Sequence, residues 1–224
     1  MNMPDFARRR GFCTAVILLP LFAGCGSMGL KSPEQPTYYS LDTAAPAAAR
    51  PPDARPPTVP TLIVNPPHAS AAFDSKRIIY VREEHKLEYF AHSQWADTPA
   101  RMLAPLIVAA VERSGAFRAV VQTPSAATGE LRLDTEIIRL QHDFGSQPSR
   151  ARFTLRAYVV DNTTREVLAW QEFDETAPAA SENPYGGVVA ANLAVQAVLA
   201  RLATFCANAS RLRGPAGTSR PTTP

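Results

Sequence analysis

Histidine and cysteine are the side chains in this sequence that could bind a metal or attack a substrate, and their spacing argues against both. The chain holds seven of them: His68, His85, His92, His142, Cys13, Cys25 and Cys206. The histidines lack the HExxH and His-x-His patterns that place two ligands on one zinc ion, and the cysteines form no CxxC pair. We therefore predict no metal site, no cofactor and no catalytic residue.

Motifs of two common enzyme classes are also missing. The sequence contains no GxSxG elbow of a serine hydrolase and no GxxxxGK[ST] phosphate loop. Adjacent carboxylates, such as Glu83 and Glu84, fall in predicted turns or at solvated strand ends, where they mainly provide solubility. Cys206 lies in an apolar stretch of a predicted helix, which favours an inert buried thiol over a nucleophile. We predict that the protein is not an enzyme.

The residues before position 26 do carry a chemical motif. Three arginines, Arg8 to Arg10, precede the apolar run 11–22, which is the arrangement of a secretory signal and is shorter than the ~20 residues of a membrane-spanning helix. The run leads into Leu-Phe-Ala-Gly-Cys, which resembles the lipobox of bacterial lipoproteins. We predict signal cleavage between Gly24 and Cys25 and acylation of Cys25. An ordinary secretory signal with an incidental cysteine is the alternative.

Acylation of Cys25 would attach the mature chain to a membrane, since each buried methylene of an acyl chain contributes about 0.8 kcal/mol. The next residue is Gly26. Similarity to enterobacterial lipoproteins, in which a residue other than Asp at this position accompanies export to the outer membrane, implies that destination. We expect a lipid-anchored protein on the periplasmic face of the outer membrane.

Composition divides the chain after the signal into a tether, a domain and a tail. The net charge of +3 comes from the two ends, because residues 61–206 hold 14 basic and 16 acidic side chains. A domain without excess positive charge is a poor match for nucleic acid. We predict four segments: a signal peptide at 1–24, a lipidated tether at 25–37, a domain at 38–206 with a proline-rich loop at 44–60, and a disordered tail at 207–224.

The domain shows the residue pattern of an antiparallel sheet. Apolar and charged residues alternate along 131–140 and 153–160, which places one face of each strand in a core and the other in water. A slip in the alternation at Ile137 and Ile138 predicts a bulge. Further strands are expected at 38–41, 61–65, 77–81, 86–92, 117–122 and 166–176, with 77–81 and 86–92 joined as a hairpin.

Two helices complete the predicted domain. The first is expected at 99–115, after Thr98 as N-cap, and Pro105 in its interior predicts a kink or a later start. The second is expected at 184–206, with Asn183 as N-cap. The fold class that we predict is α+β, a mainly antiparallel sheet with two helices packed on one face.

The second helix is apolar around more of its circumference than one packed face requires. Arg201 is its only charged residue. Two interpretations stay open: small side chains that let the helix pack closely on the sheet, or a second face that meets another subunit or a partner. We take Val188, Ala191, Ala194 and Val198 as the candidate partner or oligomer surface.

Several short motifs behind the lipobox follow one another in an order that resembles the ABC-type transport auxiliary lipoprotein family. They are Tyr-Tyr-Ser-Leu at 38–41, Ile63 and Pro66, Ile78 to Tyr80, Leu-Glu-Tyr at 87–89, Trp95, and the helix start at Pro99. The likeness covers about 38–205.

This resemblance implies a non-enzymatic envelope protein that works with an MCE-domain protein and ABC transporter subunits in moving lipids or other hydrophobic compounds between the inner and outer membranes. The implied partners are these proteins, the outer membrane through acyl chains on Cys25, and further copies of the chain in a homo-oligomer. A structural or assembly lipoprotein of the envelope that is not tied to an ABC transporter is the alternative.

Overall fold

The structure, a computed structural model, describes residues 35–42 and 59–213, within a compact unit that begins at Gln35. These residues form nine strands and two helices, which confirms the α+β class. In chain order they are β1 Thr37–Tyr39, β2 Leu62–Val64, β3 His68–Ala69, β4 Arg77–Val81, β5 Glu88–Trp95, α1 Pro99–Ser114, β6 Val120–Gln122, β7 Leu131–Asp143, β8 Arg150–Asp161, β9 Val167–Pro178 and α2 Pro184–Ser210.

Strand β7 is the centre of the sheet. β8 runs antiparallel to it along its whole length, from Leu131 opposite Asp161 to Asp143 opposite Arg150, and β9 runs antiparallel to β8. On its other side β7 pairs in succession with β2, β3 and β4, all parallel to it. The sheet therefore divides into two arms beyond β7: β2 and β6 form one, and β4, β5 and β1 form the other.

The prediction of a mainly antiparallel sheet is wrong in part, because the sheet is mixed. The predicted hairpin of β4 and β5 is antiparallel, but β1 lies parallel to β5 and β6 parallel to β2. Alternating apolar residues show which face of a strand is buried, and this holds for either strand direction. Whether a strand runs parallel or antiparallel to its neighbour depends on the end of the sheet to which the preceding connection brings the chain. Here β5, α1 and β6 lie in the chain between β4 and its parallel neighbour β7, and they provide the long crossover that a parallel pair requires.

The predicted bulge in β7 is confirmed. The register between β7 and β8 shifts between Ile137 and Arg139, and Ile138 and Arg139 are only partly buried. The extra residue restores the alternation, so that Leu140 and His142 face the core on the same side as Ile137. Without it the end of the strand would turn its apolar residues towards water.

Helix α1 begins and ends at the residues that the sequence predicts. Thr98 precedes it in extended conformation, and Gly115 ends it with a φ of 69°, a left-handed conformation that glycine adopts without steric cost. The helix begins at Pro99 and passes through Pro105, so the expectation of a later start is wrong.

Both helices share one apolar core with the inward faces of the strands. α2 packs against α1 and against β7, β8 and β9. The largest fully buried side chains of this core include Phe117, Phe153, Phe173, Leu103, Ile107 and Leu199. A residue buried to this extent contributes about 1.5–3 kcal/mol of transfer free energy, so these contacts hold the helical layer on the sheet.

The end of the domain differs from the prediction. α2 continues to Ser210, and the Arg213 guanidinium donates a hydrogen bond of 2.9 Å to the buried Asp161 carboxylate. The prediction of a disordered tail from Ala207 is therefore wrong for residues 207–213. The signal peptide, residues 25–34 of the tether, residues 43–58 and residues 214–224 lie outside the described residues.

Candidate interaction surface

The four residues of α2 that were predicted to form a partner surface are buried inside the domain. Val188, Ala191, Ala194 and Val198 are 6%, 4%, 2% and 0% exposed. The physical reason is that α2 is covered on two sides, by the sheet and by α1. The second apolar face of the helix is thus satisfied within the domain, and the prediction of these residues as a partner surface is wrong.

A different line of residues on α2 faces water. Tyr185, Val189 and Leu193 are 62%, 37% and 51% exposed, and Ala197 is also exposed. These residues lie four apart, which places them along one side of a helix. We refer to Tyr185, Val189, Leu193 and Ala197 as the α2 stripe.

The α2 stripe has a signal in the sequence that apolar periodicity alone does not show. Arg201, the only charge on the helix, stands four residues after Ala197 and is exposed. A single long cation on an otherwise apolar helix marks the side that meets water, because burying an unpaired charge is costly. Counting back from Arg201 in steps of four leads to Ala197, Leu193, Val189 and Tyr185.

Strand β1 is fastened to the first half of α2. The rings of Tyr39 and Tyr185 have centroids 6.5 Å apart. The Asn192 side chain accepts a hydrogen bond of 2.7 Å from the Asp42 backbone N–H and donates one of 3.2 Å to the Ser40 carbonyl. The residues that follow the tether therefore lie directly beside the α2 stripe.

The first turn of α2 is packed tightly against β7. As predicted, Asn183 caps the helix, and its side chain accepts a hydrogen bond of 2.9 Å from the Gly186 N–H. A Cβ atom on Gly187 would overlap the imidazole of His142. Glycine at this position lets the helix approach the strand closely.

His142 and Ser149 form a buried polar pair beneath that turn. The His142 Nε2 and Ser149 Oγ atoms are 2.8 Å apart, and the Ser149 N–H donates a hydrogen bond of 2.9 Å to Glu182. Burial lowers the pKa of His142, and the Glu182 and Asp143 carboxylates raise it by less. Serine, histidine and carboxylate are the residue types of a hydrolase triad, but His142 and Ser149 are only 2% and 0% exposed. A substrate has no access to either atom, so the pair is structural.

An open groove of about 600 Å³ runs between β9 and the second half of α2. Apolar side chains, among them Phe173, Phe205 and Leu212, line much of it. Arg201 stands at the groove, with its guanidinium hydrogen-bonded to Glu175 and 5.5 Å from the centre of the Phe173 ring. The groove can take up an apolar group, and its one cation already has a carboxylate partner.

The opposite face of the sheet carries paired charges. Arg156 lies between Glu136, at 3.5 Å, and Glu172, at 2.9 Å, and Arg152 contacts Asp174 at 2.6 Å. Cross-strand pairs of opposite charge stabilise a solvated sheet face. This face therefore presents no excess of either charge to a partner.

The remaining thiol and histidines form no reactive cluster in the part of the chain that the structure describes. Burial raises the pKa of the Cys206 thiol to about 12, so it stays protonated and unreactive. Within 35–42 and 59–213, no three His, Cys, Asp or Glu side chains are grouped as metal ligands. Gly24 and Cys25, the predicted cleavage and acylation residues, lie outside these ranges.

Helix α2 is long and apolar enough to cross a membrane by length and hydropathy. Half of its most apolar window is buried within the domain. The core helix of a globular domain passes the same test, and the packing of α2 on the sheet places it in that class.

Comparisons with known proteins agree on the fold. The family model of the ABC-type transport auxiliary lipoprotein component matches residues 39–204, whereas no curated protein matches the chain. The structure of protein XCC0632 from Xanthomonas campestris, of family DUF330, is similar with 23% identity, a TM-score of 0.67 and coverage of 78% of this chain and 97% of that one. The hypothetical protein CT253 from Chlamydia trachomatis is similar with 9% identity, a TM-score of 0.50 and coverage of 68% and 98%.

Proposed function

We propose a function on the premise that this chain belongs to the family of ABC-type transport auxiliary lipoprotein components. Members of this family are membrane-anchored proteins of the cell envelope that are associated with an ABC transport system. We infer that this chain is the non-enzymatic auxiliary component of an ABC/MCE-type system that moves lipids or other hydrophobic compounds between the inner and outer membranes. The observation that carries the proposal is the family match across residues 39–204.

The anchor that we propose is Cys25. The apolar run 11–22 and the Leu-Phe-Ala-Gly-Cys motif support export and acylation, and Gly26 supports sorting to the outer membrane. Residues 26–36 then separate the acyl chains from β1. This arrangement holds the folded domain on the periplasmic face of the membrane, close to the anchor.

The domain itself has the features of a binding module. Its buried His142 and Ser149 and its inert Cys206 are inaccessible to a substrate. Its exposed surface offers an apolar helix stripe and an apolar groove beside β9. We propose that the domain acts by holding partners, an MCE-domain protein and the transporter subunits, at the outer membrane.

Copurification tests this proposal. The full chain with a C-terminal affinity tag is expressed in the bacterium from which it comes, so that its native partners are present. The membranes are then solubilised in mild detergent. We expect recovery of a permease, an ATPase and an MCE-domain protein. The Cys25→Ala variant is the matched control, because it keeps the domain but lacks the anchor, and we expect it to recover much less of these proteins.

A recovery that contains envelope structural proteins but no permease, ATPase or MCE-domain protein would contradict the proposal. That result would favour the alternative, an assembly lipoprotein that is not tied to an ABC transporter.

A further inference from the structure

The α2 stripe is unusual for a helix face in water. No acidic or basic residue occurs from Pro184 to Ala200, although the exposed side of a surface helix usually carries charges. Its largest exposed members are Tyr185 and Leu193, at 62% and 51%. A tyrosine ring with a polar end beside aliphatic side chains suits the boundary between water and lipid.

The position of the tether limits which side of the domain can reach the membrane. Eleven residues, 26–36, separate Cys25 from Thr37 at the start of β1, and fully extended they span at most about 40 Å. A domain of this size has a radius of gyration of about 15 Å and is roughly 40 Å across. Turning its far side to the bilayer would take the tether around half the circumference, roughly 60 Å. The tether therefore keeps the side of the domain opposite β1 away from the membrane, and the sides next to β1 are the ones it brings nearest.

The α2 stripe lies directly beside β1. Tyr39 of β1 contacts Tyr185, and Asn192, next to Leu193 in the chain, binds Ser40 and Asp42. The other exposed apolar side chains of α2 and β9, Val167, Trp170 and Leu212, are placed differently. β9 is separated from β1 by four strands, about 24 Å at the usual strand spacing.

We propose that the α2 stripe lies against the surface of the bilayer that anchors the protein, with lipid as its partner. This inference rests on the proposed acylation of Cys25 and adds an orientation that the anchor alone does not specify. A short tether holds the stripe at an effective concentration of about millimolar relative to the membrane. A low intrinsic affinity of the stripe for lipid is therefore enough to keep it on the bilayer surface. The first half of α2 then faces the bilayer, and the β9 edge lies away from the tether.

A fluorescent label on the stripe tests the proposal. The mature acylated chain carrying Leu193→Cys is labelled with an environment-sensitive fluorophore and placed at high dilution in vesicles of phosphatidylethanolamine and phosphatidylglycerol. The label is selective, because Cys206 is buried and Cys25 is blocked by its acyl chain. Val167→Cys is the matched control, since Val167 is apolar and 56% exposed but lies on β9.

We expect nitroxide-bearing lipids to quench the label at 193, and aqueous iodide to quench the label at 167. Tyr185→Ser should raise the iodide accessibility of the label at 193, whereas Trp170→Ser should leave it unchanged. Equal iodide quenching at 193 and 167 would overturn the inference. Protection of 193 from both quenchers would also overturn it, because protein, such as a second copy of the chain, would then cover the stripe.

Flotation of the same vesicles separates failure of this inference from failure of the anchor. Chain that floats with the lipid but has an accessible label at 193 retains the anchor and contradicts only the orientation. Chain that does not float contradicts both.

Discussion

The ring of Tyr39 lies 6.5 Å from the ring of Tyr185, centre to centre. This contact joins the first strand of the domain to the first turn of α2, and the Asn192 hydrogen bonds to Ser40 and Asp42 extend it. On its other side β1 pairs with β5, so the strand joins the edge of the sheet to the helix that carries the α2 stripe. Strand β1 and the α2 stripe are thus held together by direct contacts.

Replacing the proposed acylation site should block maturation. Cys25→Ala removes the only sulfur at the cleavage site, so we expect a precursor that keeps its signal and takes up no labelled palmitate. Gel mobility and metabolic palmitate labelling measure both effects. Cys13→Ala, inside the apolar run, is the control and should mature normally. Normal cleavage and labelling of Cys25→Ala would refute the anchor.

Removing the Asn192 side chain should loosen β1. Asn192→Ala deletes the bonds to Asp42 N–H and the Ser40 carbonyl, each worth about 0.5–1.5 kcal/mol. We expect a fall of about 1–3 kcal/mol in the free energy of unfolding in urea, together with faster hydrogen exchange in β1. Gln196→Ala, one turn further along the helix, is the control. Unchanged exchange in β1 would show that Asn192 does not fasten the strand.

The close approach of α2 to β7 should not tolerate a methyl group. Gly187→Ala places a Cβ against the His142 ring, and we expect a loss of about 1–3 kcal/mol in the free energy of unfolding, as for other overpacked cores. The double variant Gly187→Ala, His142→Ala should lose less than the sum of the two single variants. Additive losses would mean that the two residues do not press on each other.

His142 should make stability depend on pH. Burial lowers its pKa, and the Glu182 and Asp143 carboxylates oppose this by less. The unfolded chain therefore binds the proton more readily. The stabilisation is complete above the unfolded value of about 6.5 and is lost as the pH falls from there through the folded pKa. We expect His142→Gln to lose less stability than the natural chain between about pH 7 and pH 5, measured by urea unfolding. The exposed His68→Gln is the control and should keep the full dependence.

The segment that follows α2 should depend on Asp161 for its position. Burial raises the pKa of this carboxyl, but the Thr164 and Thr163 N–H groups and Arg213 together lower it by more. The stabilisation is present above the ordinary value of about 3.9 and is lost as the pH falls through the folded pKa. Arg213→Ala should cost about 1–3 kcal/mol near neutral pH and reduce the loss in acid. Arg211→Ala, at an exposed neighbour, should do neither in the same urea titrations.

Much of the secondary structure follows from short stretches of sequence. β4 has the predicted bounds, and α1 starts after Thr98 and ends at Gly115 as expected. These boundaries depend on local chemistry: a proline that fits the first turn, and a glycine with a left-handed backbone. The bulge at Ile137 was also visible, because a slip in alternation is itself a local signal.

The candidate surface was not predictable in the same way. An α-helix that is apolar on every side shows no preferred face, so composition could not separate the buried Val188 from the exposed Val189. The position of Arg201 was the available signal, and it marks the exposed side correctly.

The sequence by itself therefore determined the family, the α+β class and most element positions, together with the motif at Cys25 on which the proposed anchor rests. Tertiary structure decided the parallel pairing of β2, β3 and β4 with β7 and the side of α2 that meets water. The physical reason is distance along the chain. Caps, turns and alternation act between near neighbours, whereas strand direction and helix exposure depend on contacts such as Asn192 with Asp42, 150 residues apart.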